Sequence, residues 1–282
     1  MATFATSDQL LVIIDPAARE TDNESVRIAK DVLSAGAAAK VCMPDGPEEF
    51  ARVLSRRGSR RPVVIGDDRA LVRAVTLLHR RRELAGCVLS VVPVGGAQSV
   101  AHTLGVPAGA VAAARAVLDG VERRMDLLVD DSDGVVLGAL RIPPVTAVAQ
   151  AAEAAEPVAA RGWLRPYQHL VRSLSAGRPV TAVPRPPARL RVEVDGETVV
   201  DLDQPVEGVS VTPGGYGGLA EVEVRPLSVG AAATPVRAAG RTVTVVGADF
   251  RYRADGGVTG PVRRRTWRVV EGAWGLTVPS SS

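Results

Sequence analysis

The sequence has few aromatic side chains, lysines, cysteines and histidines, and each shortage narrows what the chain can be. Aromatics make up 3% of the 282 residues, so valine, leucine and alanine must fill any core. Among 34 basic residues only Lys30 and Lys40 are lysines. An arginine bias alongside abundant alanine and glycine accompanies GC-rich coding, so no single arginine is thereby marked as a phosphate contact. The net charge of +3 suits an anionic ligand or a membrane surface and is too weak to point to nucleic acid. Cys42 and Cys87 both sit in apolar, strand-like surroundings and read as buried free thiols of a reducing compartment. His79, His102 and His169 lie far apart, with no metal-ligand spacing. No apolar run approaches the roughly 18 residues of a membrane span. No basic region followed by an apolar core marks a signal peptide, and a soluble cytoplasmic protein is expected.

What the sequence does contain is alternation. Apolar runs at 10–14, 40–43, 62–65 and 89–92 are each followed by a turn and a helical pattern, as in a doubly wound sheet covered on both faces. Asn23 or Ser25 is placed to cap a helix bearing Val26, Ala29, Val32 and Leu33. Glu48 and Glu49 open a helix that ends in Arg56-Arg57-Gly58, acid first and base last, as the helix dipole favours. Residues 107–119 read as an alanine-rich helix, and 124–142 as a hairpin. An alanine-rich connector at 145–161 and an amphipathic helix at 163–176 follow. Beyond the proline-rich 179–187, short strands at 188–194, 198–202, 208–211, 219–224, 241–246, 265–270 and 276–278 alternate with turns. That pattern predicts a β-sandwich. The expected division is a 1–143 α/β domain and a 144–282 β-sandwich domain with a helical connector.

Two stretches carry candidate chemistry. Pro62-Val63-Val64-Ile65 runs into Gly66-Asp67-Asp68-Arg69-Ala70 and a helix; Leu89 to Val92 runs into Pro93-Val94-Gly95-Gly96-Ala97-Gln98 and another. Both place helix N-termini, with their free N–H groups, at the carboxyl edge of a sheet, where α/β proteins hold phosphates. The same residues serve equally as plain turns: Asp67 and Asp68 as helix caps, Gly95-Gly96 as a tight strand-to-helix connection.

In its order of motifs the chain resembles the diacylglycerol kinase and sphingosine kinase superfamily. Members carry Asn-Pro-x-Ser-Gly, then Gly-Gly-Asp-Gly-Thr, then Pro-x-Gly-Thr-x-Asn with a following Ala and Leu-Gly pair. Asp15-Pro16-Ala17-Ala18-Arg19 stands at the first, 66–70 at the second, and 93–98 with Ala101 and Leu104-Gly105 at the third. The resemblance implies an NAD kinase-like α/β domain, ATP and Mg2+ as cofactors, and a lipid acceptor such as diacylglycerol at a membrane surface. It implies nucleotide contacts from Asp15, Gly66, Asp67, Arg69, Gly95, Gly96, Ala97 and Gln98, and a catalytic role for Asp68. The family pattern is broken at several of these positions. Asp15 and Gln98 replace Asn, Asp67 and Arg69 replace Gly, and Ala70 and Gly96 replace Thr. Asp255-Gly256-Gly257 resembles a late Asp-Gly-Glu segment but has Gly257 at the Glu, and Asp255 reads first as part of a hairpin turn. Glu197 lies too early in the chain to replace that Glu. Arg263-Arg264-Arg265 reads either as a lipid-headgroup contact or as a solvated hairpin end. Two functions therefore stand side by side: phosphoryl transfer from ATP to a lipid hydroxyl, and a non-catalytic relative that binds nucleotide, lipid or protein.

Overall fold

The protein's structure is a computed structural model that describes residues 9–143, 188–214, 217–227 and 234–280. The expected connector and amphipathic helix at 145–176 lie outside the described residues. In the first half, β1 (Gln9–Ile14), β2 (Ala38–Cys42), β3 (Arg61–Gly66) and β4 (Val88–Pro93) alternate with α1 (Pro16–Thr21), α2 (Asn23–Gly36), α3 (Pro47–Ser55), α4 (Asp68–Arg80), α5 (Ser99–Thr103) and α6 (Ala110–Asp119). The strands are parallel, in the order β2-β1-β3-β4. Residues 10–14 of β1 are all buried, as a strand with helices on both faces requires. Each such side chain taken from water contributes roughly 1.5–3 kcal/mol.

Local signals explain the helices. Asp67 caps α4, and Leu71, Ala74, Val75 and Leu78 recur on its buried face at 3.6-residue spacing. The cap of α2 is Asp22, one residue before Asn23 and three before Ser25, the two positions the sequence favoured; its Oδ1 accepts from Ser25 N at 3.0 Å.

The second half is antiparallel. It comprises β5 (Val121–Asp130), β6 (Val135–Val136), β7 (Leu140–Ile142), β8 (Ala188–Val194), β9 (Glu197–Val200), β10 (Pro205–Pro213), β11 (Ala220–Pro226), β12 (Val236–Gly240), β13 (Thr242–Ala254) and β14 (Gly257–Val278). One layer runs β12-β11-β10-β7 and the other β9-β8-β13-β14-β5-β6. They are joined at two corners, because β10 and β13 each pair with both β7 and β8. Val192, Val209, Val211, Val222, Val243, Val245 and Trp267 fill the space between.

The two cores do not divide at residue 143. Leu128, Val136, Leu140 and Ile142 belong to the second core, whereas Ala273, Trp274, Leu276 and Val278 return to the first. The end of β14 lies parallel beside β4, Gly275 opposite Val88 and Leu276 opposite Leu89, so the last strand of the chain extends the first sheet. Its run of buried residues, 273–278, is that of a strand covered on both faces. Among the described residues no helix is long and apolar enough to cross a membrane.

Candidate functional site

Parallel alternation puts the turns after β1, β3 and β4 at one edge of the sheet, and all nine residues singled out in the sequence lie on them. Hydrogen bonds tie these turns together. Asp15 N donates to Ile65 O at 2.9 Å, Val94 N to Gly66 O at 3.0 Å and Asp68 N to Ala97 O at 2.7 Å. Close packing requires glycine at two points. A Cβ on Gly66 would lie 2.7 Å from Ala70 Cβ and 3.0 Å from Asp15 Cβ. Gly95 has φ +91°, and its Cβ would meet Thr21 Oγ1 at 2.7 Å.

The three carboxylates have distinct surroundings. Asp15 is 4% exposed; its Oδ1 accepts from Ala17 N at 3.0 Å, and Arg73 Nη1 reaches its Oδ2 at 2.6 Å. Arg73 lies over the Phe50 ring, 5.6 Å from its centroid. This pair neutralises a buried charge at the position where the family has a neutral Asn.

Asp68 is 3% exposed and faces inward. Its Oδ2 accepts from Ser99 Oγ at 3.2 Å and Val100 N at 3.0 Å, and its Oδ1 from Ala101 N at 3.1 Å. Val100 N and Ala101 N are free N–H groups at the start of α5, and Ser99 adds its hydroxyl, so Asp68 pins the helix that follows the third turn. Both of its oxygens are engaged.

Asp67 alone presents an open carboxylate oxygen. Its Oδ1 accepts from Arg69 N at 3.0 Å and Ala70 N at 3.1 Å. Its Oδ2 has no hydrogen-bond donor among the described residues and lies 2.9 Å from where a Gly96 Cβ would be. Arg69, Gly96 and Ala97 are exposed around it, and Gln98 Nε2 donates to Gly95 O at 3.4 Å. A bare glycine backbone, an open carboxylate oxygen and an exposed guanidinium form a cradle that fits a phosphate with its divalent cation. No group of three or more metal-ligating side chains occurs among the described residues, so a cation here would be shared with phosphate oxygens.

Asp255 joins from the second half. The sequence pattern reads it as a hairpin residue, and it does sit between β13 and β14 with φ +44°. Its carboxylate turns inward, however, accepting from Leu137 N at 2.5 Å and Gly138 N at 2.8 Å. A Cβ on Gly138 would be 3.4 Å from Val100 Cγ2, whose own N–H is held by Asp68. The second half is thus packed directly against the helix that Asp68 holds. Burial pushes the Asp255 carboxyl up to about 6, and the Asp68 charge pushes in the same direction; the backbone N–H donors only partly offset them.

Arg73, Ser99 and Gly138 were not marked in the sequence. Arg73 belongs to a helix face whose only visible signal is amphipathic, and its partner is 58 positions away. The remaining candidates lie elsewhere. His79 meets Asp133 at 2.8 Å, Arg263 pairs with Asp249, and Arg265 with Asp131, while Glu197 is exposed on β9.

No family model and no curated protein matches the chain. Solved structures do. A diacylglycerol kinase from Bacillus anthracis str. Sterne superposes with TM-score 0.69 at 12% identity, covering 98% of both chains. A second structure from that organism matches at TM-score 0.70 and 14% identity, again over 98% of each. The fold is that of the diacylglycerol kinases. An NAD kinase from Archaeoglobus fulgidus, solved in complex with ATP, matches at TM-score 0.53 and 14% identity over 95% of this chain and 93% of its own. The structural neighbours named here are kinases. The match to the two Bacillus anthracis structures runs over 98% of the chain.

Proposed function

We propose that this diacylglycerol kinase-like protein binds ATP with Mg2+ at the turns after β1, β3 and β4 and transfers its terminal phosphoryl group to a lipid hydroxyl such as that of diacylglycerol. The observation that carries this reading is the cradle made by Gly95, Gly96, Ala97 and Gln98 facing the open Oδ2 of Asp67. Support comes from the kinase neighbours and from the ATP bound in one of them. Mg2+ would neutralise phosphate charge beside Asp67, and phosphoryl transfer of this kind relies mainly on positioning and charge stabilisation. Gly66 and Asp15 shape the floor, and Arg69 faces the phosphates. Asp68 acts electrostatically while it holds α5; accepting the hydroxyl proton would require it to release Ser99.

The second reading is a relative that binds nucleotide without transferring phosphate. Full engagement of both Asp68 oxygens favours it, as does Gly257 in place of the family's Glu. Transfer of labelled γ-phosphate to diacylglycerol in mixed micelles, alongside the ATP–Mg2+ shift in melting temperature, separates the two. Transfer abolished by Asp67→Asn and Asp68→Asn supports the kinase. A melting shift without transfer supports the binding protein. Neither response from folded protein rules out both.

A further inference from the structure

At the opposite edge of the first sheet, the turns entering β3 and β4 carry a dense positive charge that phosphate chemistry does not use. Residues 52–61 contribute Arg52, Arg56, Arg57, Arg60 and Arg61, and the next turn adds Arg80, Arg81 and Arg82. The acid within this group is Glu83, to which Arg57 and Arg81 both donate, so the two turns are fastened side by side. Arg61 is spent on Val117 O. Arg52, Arg56, Arg60, Arg80 and Arg82 have no ion-pair partner among the described residues, and all but Arg60 are exposed.

Helix polarity accounts for little of this. Helices α3 and α4 end here and the last turn of α6 reaches Arg61, and each C-terminus carries about half a negative charge, so together they offset about one to two arginines. Like charges held this close repel one another and cost stability unless an anion covers them. Glu83 fastens the two turns that carry them side by side, so little backbone ordering is needed when a partner binds and the cost falls on the arginine side chains.

We propose that this edge docks an acidic segment of a partner protein. Guanidinium groups pair bidentately with carboxylates, and five on one edge with no ion-pair partner among the described residues match a run of Asp and Glu. A bilayer fits less well for two reasons. No exposed large apolar side chain lies in 52–61 or 80–86 to enter it. The proposed phosphate site is at the other end of β3, roughly 16 Å away at the usual rise per strand residue, so binding a membrane here would turn that site away from the lipid. The docking surface does not depend on the kinase reading.

The test is binding of a labelled polyglutamate peptide to the full chain, measured by fluorescence anisotropy at low and high salt. Arg56→Glu/Arg80→Glu/Arg82→Glu should weaken binding by about tenfold or more, while reversing Arg251, Arg264 and Arg268 on the second half should change it little. If either triple variant melts early, Gln at the same positions gives the same comparison. Equal losses in both variants would mean mere attraction to net charge and would overturn the proposal. So would unchanged binding in the first variant. Vesicles of phosphatidylglycerol and phosphatidylcholine form the second arm: if the first variant loses vesicle binding but keeps the peptide, the surface is for lipid and the proposal fails.

Discussion

Raising the pH from about 4 to 7 should destabilise this protein through a single carboxyl group. Asp255 is held at a folded-state value of about 6 against 3.8 for the free side chain, first by burial and then by the nearby Asp68 charge. The folded chain therefore binds this proton more tightly than the unfolded chain. The resulting stability is fully present below about 4, declines as the pH rises through 6, and is gone above. A difference of about two units at about 1.4 kcal/mol each amounts to roughly 3 kcal/mol. Urea unfolding of the wild type and of Asp255→Asn across this range isolates the group, because other titrations cancel in the difference. Asn cannot ionise, and its NH2 would face one of the two N–H groups that Asp255 accepts, so the variant should be weaker at pH 4. By pH 7 the gap should have narrowed by about 3 kcal/mol. Asp68→Asn should shorten the decline, since one of the two causes is then removed. Parallel stability curves for wild type and Asp255→Asn would refute the reasoning: Asp255 would then not be buried against α5.

Two further substitutions probe the turns. Gly66→Ala places a methyl group against Ala70 and Asp15 and should cost about 1–3 kcal/mol in thermal or urea unfolding, with a weaker ATP-induced melting shift. Arg73→Met strands the Asp15 carboxylate and should cost about 2–4 kcal/mol; adding Asp15→Asn should recover much of it, and a failure to recover would show that the ion pair is not what Arg73 supplies.

Much of the first half was legible because its signals are local. Strands buried on both faces must be apolar throughout, and helices over them must repeat every 3.6 residues, so 10–14, 62–65 and 89–92 could be placed without knowing their neighbours. Placing the turns after β3 and β4 at one edge follows from the same alternation, which is why Gly66 to Arg69 and Gly95 to Gln98 could be grouped in advance; Asp15 joined them only through the family resemblance. Most strands of the second half were readable from their turns, but β12 was missed, and the strands expected at 265–270 and 276–278 are one long strand, β14, because Glu271-Gly272 is a bulge and not a turn. The pairing of these strands was not readable, because β10 and β13 change partners along their length, and no period-two pattern encodes that.

The sequence by itself determined most of the strands and helices and two of the turns that face one another, because backbone geometry and burial act over a few neighbouring residues. Tertiary structure alone decided where each charge went. Asp68 points inward to α5, Asp15 finds Arg73, Asp255 reaches the backbone at 137–138, and the end of β14 returns to β4. Each of those contacts joins residues more than thirty positions apart, or two halves of the chain. Hydrogen bonds and desolvation depend on what stands within about 3 Å in space, and the order of residues does not encode that distance.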